Sequence, residues 1–76
     1  MTKRRALEIL RDYWGCGEIV GVKLCNEIQA VELPGETILR TVSRIAGVED
    51  YINKVTPFNN TAIYWMASYL LARMGY

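Results

Sequence analysis

Apolar residues recur along most of the chain at intervals of three and four, the spacing that gathers them on one face of an α-helix. From Thr2 to Trp14 the residues Ala6, Leu7, Ile9, Leu10, Tyr13 and Trp14 follow this period, and Thr2 is an acceptable N-cap. A first helix is predicted there. Arg4 and Glu8, four apart on it, form an exposed ion pair worth on the order of a few tenths of a kcal/mol. Gly15-Cys16-Gly17 ends the helix, because glycine takes left-handed backbone angles that other residues avoid. Glu18-Ile19-Val20 is a short extended stretch at best. Residues Gly21 to Ala30 then carry Val22, Leu24, Cys25 and Ile28 at helical spacing, a second, short helix. The turn Val31-Glu32-Leu33 leads to Pro34, whose fixed φ and missing N–H suit the first position of a third helix, Pro34 to Ala46.

At about 100° per residue, Ile38, Leu39, Val42, Ile45 and Ala46 fall in one stripe of that third helix. Thr37, Arg40 and Arg44 lie almost opposite, flanked by Glu36, Thr41 and Ser43, so one face packs and the other is offered outward. Gly47 closes the helix by a left-handed turn. Val48, Tyr51, Ile52 and Val55 have a helical period, yet Tyr51 to Thr56 also suits an extended arm. Pro57 to Asn60 is a loop, and Asn60 can cap a last helix from Thr61 to about Met74. Residues 62–72 are apolar on nearly every side, which asks for more cover than one face of a small domain provides. A partner surface would supply it. The aromatic and methionine residues Tyr64, Trp65, Met66, Tyr69 and Met74 are expected as core plus interface, with Tyr64, Trp65, Tyr69 and Leu70 as the contact of a homodimer.

Seventy-six residues make a single domain, 1–76, since two halves would each lack a core. The division is a tri-helical core over 2–46, a connection or wing over 47–60 and a C-terminal helix over 61–76. With 51% hydrophobic and 22% charged residues the chain lies within globular limits. The net charge of +1 gives no long-range attraction to nucleic acid, so any positive patch is local. Lys3, Arg4 and Arg5 open the chain, while Glu27, Glu32 and Glu36 precede or begin the third helix. Two cysteines, Cys16 and Cys25, and no histidine leave neither a disulfide framework nor a four-ligand zinc set. Both cysteines read as reduced thiols. With no signal-peptide pattern the expected location is cytoplasmic. Residues 62–72, at about 1.5 Å each, cover about half of the roughly 30 Å hydrocarbon layer, so no membrane span is expected.

A helix of about a dozen residues, a short second helix, a turn and a third helix with polar residues facing out is the order of a helix-turn-helix core. The segments Gly17-Glu18-Ile19-Val20, Val22 to Ile28 and Leu33-Pro34-Gly35-Glu36-Thr37-Ile38-Leu39-Arg40-Thr41-Val42-Ser43-Arg44-Ile45 resemble the helix-turn-helix or winged-helix proteins of bacteria and their phages. The resemblance covers about residues 2–46. It implies a mainly α, winged-helix-like fold with an added C-terminal helix, and a small protein, such as a transcriptional regulator, that binds double-stranded DNA. It further implies that Glu36, Thr37, Arg40, Thr41 and Arg44 face the major groove, with Lys3, Arg4 and Arg5 on the backbone. The turn before the third helix is longer than in the compact helix-turn-helix form. A wing would use Tyr51 to Val55 returning through Thr61 to Trp65, and the period of the last segment favours a helix there instead.

Each feature has a plainer reading. Arg40 and Arg44 also fit solvated positions of an exposed helix face. Near-neutral charge and the acidic run suit a protein-interaction or assembly module of helix-turn-helix architecture that does not bind DNA. Catalysis has little support: there is no Gly-rich phosphate loop, and Cys16 has no identifiable base. No enzyme activity and no cofactor are expected.

Overall fold

The computed structural model describes residues 1–55 and 59–75. Thr56, Pro57 and Phe58, and with them most of the loop expected from Pro57 to Asn60, lie outside the described residues, as does Tyr76. Among the described residues the regular structure is helical throughout, and no helix is long and apolar enough to cross a membrane.

Helix α1 spans Lys3–Ile9, and the Thr2 hydroxyl accepts a hydrogen bond from the Arg5 N–H at 3.1 Å, the cap expected of it. The helix continues as a π-helical segment, Leu10–Trp14, and the Gly15 N–H donates to the Leu10 carbonyl at 2.7 Å. Gly15 itself keeps right-handed angles (φ −65°). Gly17 makes the left-handed turn (φ 71°), and the Glu18 N–H reaches back to the Tyr13 carbonyl at 2.7 Å, closing a Schellman motif.

Residues 18–20 form no strand, and α2 runs Val22–Gln29 with Leu24 and Ile28 buried. Val22, expected on the packed face, is 77% exposed at the first position of the helix.

The third helix starts later than its sequence suggests. Leu33-Pro34-Gly35-Glu36 is a turn, closed by the Glu36 N–H donating to the Leu33 carbonyl at 3.0 Å, with Gly35 at φ 81°. A φ near −65° suits proline at the second position of such a turn as well as at the first of a helix, and a left-handed glycine after it prevents helical continuation. Helix α3 is therefore Ile38–Ala46, capped by Thr37, whose hydroxyl accepts from the Arg40 N–H at 3.2 Å. Its C-terminus is as expected: Gly47 is left-handed (φ 73°), and the Val48 N–H bonds the Ser43 carbonyl at 3.0 Å.

Val42 and Ala46 are fully buried and Ile38, Leu39 and Ile45 pack at the core's edge. The buried sector is wider than that stripe, because Thr41 and Ser43 are also buried. The Ser43 hydroxyl donates to the Leu39 carbonyl at 2.6 Å, and the single Thr41 hydroxyl proton is shared between the Thr37 carbonyl at 3.0 Å and Glu36 Oε1 at 2.9 Å.

Residues whose period left helix and hairpin arm both open form helix α4, Glu49–Val55, with Val48 and Ile52 buried. Helix α5 is Asn60–Arg73, and its cap is Asn59, one residue before the expected Asn60; the Asn59 side-chain oxygen accepts from the Ala62 N–H at 3.0 Å. Ile63, Ala67 and Leu71, four apart, are buried against α1, the π-helical segment and α4. A Cβ on Gly15 would stand 2.6 Å from the Arg11 carbonyl oxygen and 2.8 Å from the Tyr64 Cα. Only a residue without a side chain lets α5 approach the end of the π-helical segment this closely.

Candidate nucleic-acid interface

The residues expected to face outward from α3 divide into two groups. Thr37 is exposed at the helix start. Arg40, one turn in, is exposed, and among the described residues its side chain has no hydrogen-bond or ion-pair partner.

Glu36, Thr41 and Arg44 are instead turned toward one another, which corrects their expected exposure. The Arg44 Nε donates to Glu36 Oε2 at 2.8 Å and its Nη2 to Glu36 Oε1 at 3.2 Å and to the Val31 carbonyl at 3.0 Å. Glu36 Oε1 also accepts from the Leu33 N–H at 2.8 Å and from the Thr41 hydroxyl at 2.9 Å. The Glu36 side chain is 15% exposed and that of Arg44 32%. The Arg44 guanidinium, followed by the Leu33 N–H and the Thr41 hydroxyl, lowers the Glu36 carboxyl to about 2. The same contact raises the Arg44 pKa. This cluster fastens the 31–36 loop to α3, so Thr41 and Arg44 serve the fold at the expense of the outer face.

The sequence signal pointed the other way for a geometric reason. Inside one continuous helix, Glu36 and Arg44 would stand about 12 Å apart along the axis, too far to pair. They meet because Glu36 precedes the helix and the Pro34-Gly35 turn folds it back.

The three basic residues of the amino terminus are also separated. Arg5 makes a two-point contact with Glu27, both distances 3.0 Å, joining α1 to α2. This contact raises the Arg5 pKa and lowers that of Glu27. Arg4 pairs with Glu8 at 3.7 Å, as its spacing predicts. Lys3 is exposed, and its Nζ lies 3.8 Å from where a Cβ on Gly47 would stand, at the carboxyl end of α3. There the helix dipole favours a cation. Arg40 and Gly47 are seven residues apart, close to two full turns or about 10 Å of rise, so Lys3 stands near the far end of the face on which Arg40 lies.

Of the residues expected at an interface, Trp65 (64% exposed) and Tyr69 (59%) point outward from α5. Tyr64 is half-buried and meets Trp65 edge to face, ring centroids 5.4 Å apart. Leu70 packs partly on the core and, with Val48, Glu49, Asp50, Tyr51 and Met66, lines an open depression of about 600 Å³ between α4 and α5. Nothing in the sequence pattern placed Glu49, Asp50 and Tyr51 there, since it depends on the angle at which α4 meets α5. The Tyr51 hydroxyl donates to the Ala62 carbonyl at 3.3 Å across that junction. Comparison with models of known protein families, with curated protein sequences and with solved structures finds no match for the chain.

Proposed function

We propose that the chain binds double-stranded DNA through the outer face of α3, with Arg40 as its principal contact and Thr37 and Lys3 at the two ends. The observation that carries this reading is the freedom of Arg40. Arg5, Arg11 and Arg44 each engage a carboxylate, whereas Arg40 stands exposed on a helix braced from behind by α1 and α2. The order of helices supports a helix-turn-helix core, and one braced helix with a forked donor at its first turn suits guanine O6 and N7 or a phosphate. A pair of copies would present two such helices, which offsets the low net charge. In that form the chain would act as a small transcriptional regulator.

The test is binding to random duplex DNA at low and moderate salt. The parent chain should bind at low salt and weaken as salt rises, and Arg40→Ala should reduce both the affinity and the salt slope, the slope by about one if Arg40 holds a phosphate. Lys3→Ala should act in the same direction. Absence of binding at both salt concentrations refutes the reading.

A second reading, a protein-interaction module of the same architecture, is favoured by one observation: the aromatic side chains of Trp65 and Tyr69 are more than half exposed on a helix that carries no charge before Arg73. Retained self- or partner-binding without any affinity for duplex DNA would select it.

A further inference from the structure

The two arginines of α3 stand four residues apart and end in opposite states. Four residues turn a helix by about 40° beyond a full circle and rise about 6 Å, so Arg40 and Arg44 leave α3 on neighbouring lines of one face. Arg40 is exposed, and among the described residues its guanidinium is unspent. Arg44 is held down by the Glu36 carboxylate, which accepts from its Nε at 2.8 Å and its Nη2 at 3.2 Å, and by the Val31 carbonyl at 3.0 Å. That Nε–Nη2 edge is the fork with which an arginine grips a carboxylate or a phosphate at two points. The Arg44 side chain is still 32% exposed, so it lies along the surface and its release opens no core. Glu36 is fixed separately, by the Leu33 N–H at 2.8 Å and the Thr41 hydroxyl at 2.9 Å, which makes its carboxylate a preset acceptor.

Resting on the reading of α3 as a duplex-binding face, we propose that the Glu36–Arg44 pair is an autoinhibitory contact, in which the carboxylate occupies the arginine fork that a DNA phosphate would otherwise take. Both competitors are anions that accept two N–H bonds. The carboxylate belongs to the same chain, so it faces Arg44 at a high effective concentration whatever the amount of DNA. Glu49 adds a weaker pull on Arg44 through its charge alone. With Arg44 withheld, Arg40 is the cation that α3 leaves free, and Lys3 follows beyond its far end. The Glu36 carboxyl titrates at about 2, so the contact is closed at neutral pH and opens to a competing anion or to removal of the carboxylate. Phosphate contacts supply nearly all of non-specific binding and carry no sequence information, so withholding one lowers affinity for every duplex alike. The device therefore limits non-specific attachment and leaves Arg40 as the discriminating group.

The test is titration of random duplex DNA with the full chain at about 50 mM and about 200 mM salt, comparing the parent with Glu36→Gln and with Glu36→Gln/Arg44→Met. Glutamine keeps the shape of Glu36 and an oxygen for the Leu33 N–H and the Thr41 hydroxyl, but holds a guanidinium less firmly than a carboxylate does. Glu36→Gln should bind about tenfold more tightly at the lower salt. One added phosphate contact steepens the salt slope by about 0.9, so that gain should shrink about 3.5-fold at the higher salt. The double variant removes both charges together and should return to the parent's affinity and slope. Melting curves set a temperature at which each variant is folded, and Glu36→Ala, which also lacks the carboxylate, should repeat the gain; loss of structure does not tighten binding. A parent that binds and is weakened by Arg40→Ala, yet gains nothing from Glu36→Gln, overturns this proposal and leaves the reading of α3 intact. A gain that survives in the double variant overturns it because Glu36 then acts by repulsion alone. A double variant weaker than the parent overturns it because Arg44 already serves the duplex. A chain that binds neither with Glu36 nor with Gln at that position refutes the reading of α3 and this proposal with it.

Discussion

Arg44 holds Glu36 by two nitrogens, Nε to Oε2 at 2.8 Å and Nη2 to Oε1 at 3.2 Å, across the turn that precedes α3. The pair closes a ring of contacts that includes the Leu33 N–H and the Thr41 hydroxyl. Arg44, one of the two arginines expected to reach a ligand from α3, is thus occupied in holding the helix entrance.

This contact makes stability depend on pH in a known direction. The Glu36 carboxyl titrates at about 2 in the folded chain against an ordinary 4.5. A depressed folded value stabilises the protein above the unfolded pKa, and that contribution is lost as pH falls from about 4.5 toward 2. Glu27, lowered by Arg5, adds to the loss with the same sign. Urea midpoints measured at successive pH values should decline across this window, and Glu36→Gln should be less stable at neutral pH and show a shallower decline.

Gly15 tests the close approach of α5. Its φ is ordinary, so Gly15→Ala acts through contact alone, and the new Cβ meets backbone atoms that cannot swing away. A loss of about 1–3 kcal/mol is expected from thermal or urea unfolding. At Gly21, where a Cβ meets nothing, the same change should cost less.

At the start of α3 a helix cap and a free side chain can be told apart by stability. Thr37→Ala removes a cap and should cost about 1 kcal/mol of stability. Arg40→Ala should leave the unfolding midpoint nearly unchanged while weakening duplex binding, as measured by titration under one buffer.

The Arg5–Glu27 contact is well formed but open to water, with side chains 43% and 40% exposed. Water screens it, so Arg5→Ala should cost less than about 1 kcal/mol, and the difference from the parent should shrink further in high salt. Unfolding curves at two salt concentrations decide this.

Short-range features were legible in the chain. Thr2 as a cap, Gly17 and Gly47 as left-handed ends, the Arg4–Glu8 pair and the buried stripe through Val42 and Ala46 all depend on residues within about one or two helical turns of one another. Period and cap chemistry act at that range. The open choice over Tyr51 to Val55 was of another kind, since a short apolar run fits helix and strand alike until its neighbours are known.

What the sequence by itself determined is a helical protein with a two-sided third helix and a last helix too apolar to be covered by one face. What only the tertiary structure decided is which polar groups remain at the surface. Proline's φ serves a turn and a helix start equally, so the reversal at Pro34-Gly35 was invisible locally, and with it the pairing of Glu36 to Arg44 and the burial of Thr41. Among the described residues no carboxylate is folded back beside Arg40, and the α4–α5 depression lies where Glu49, Asp50 and Tyr51 come beside Met66 and Leu70. Both depend on distances between segments, which a periodic pattern does not contain.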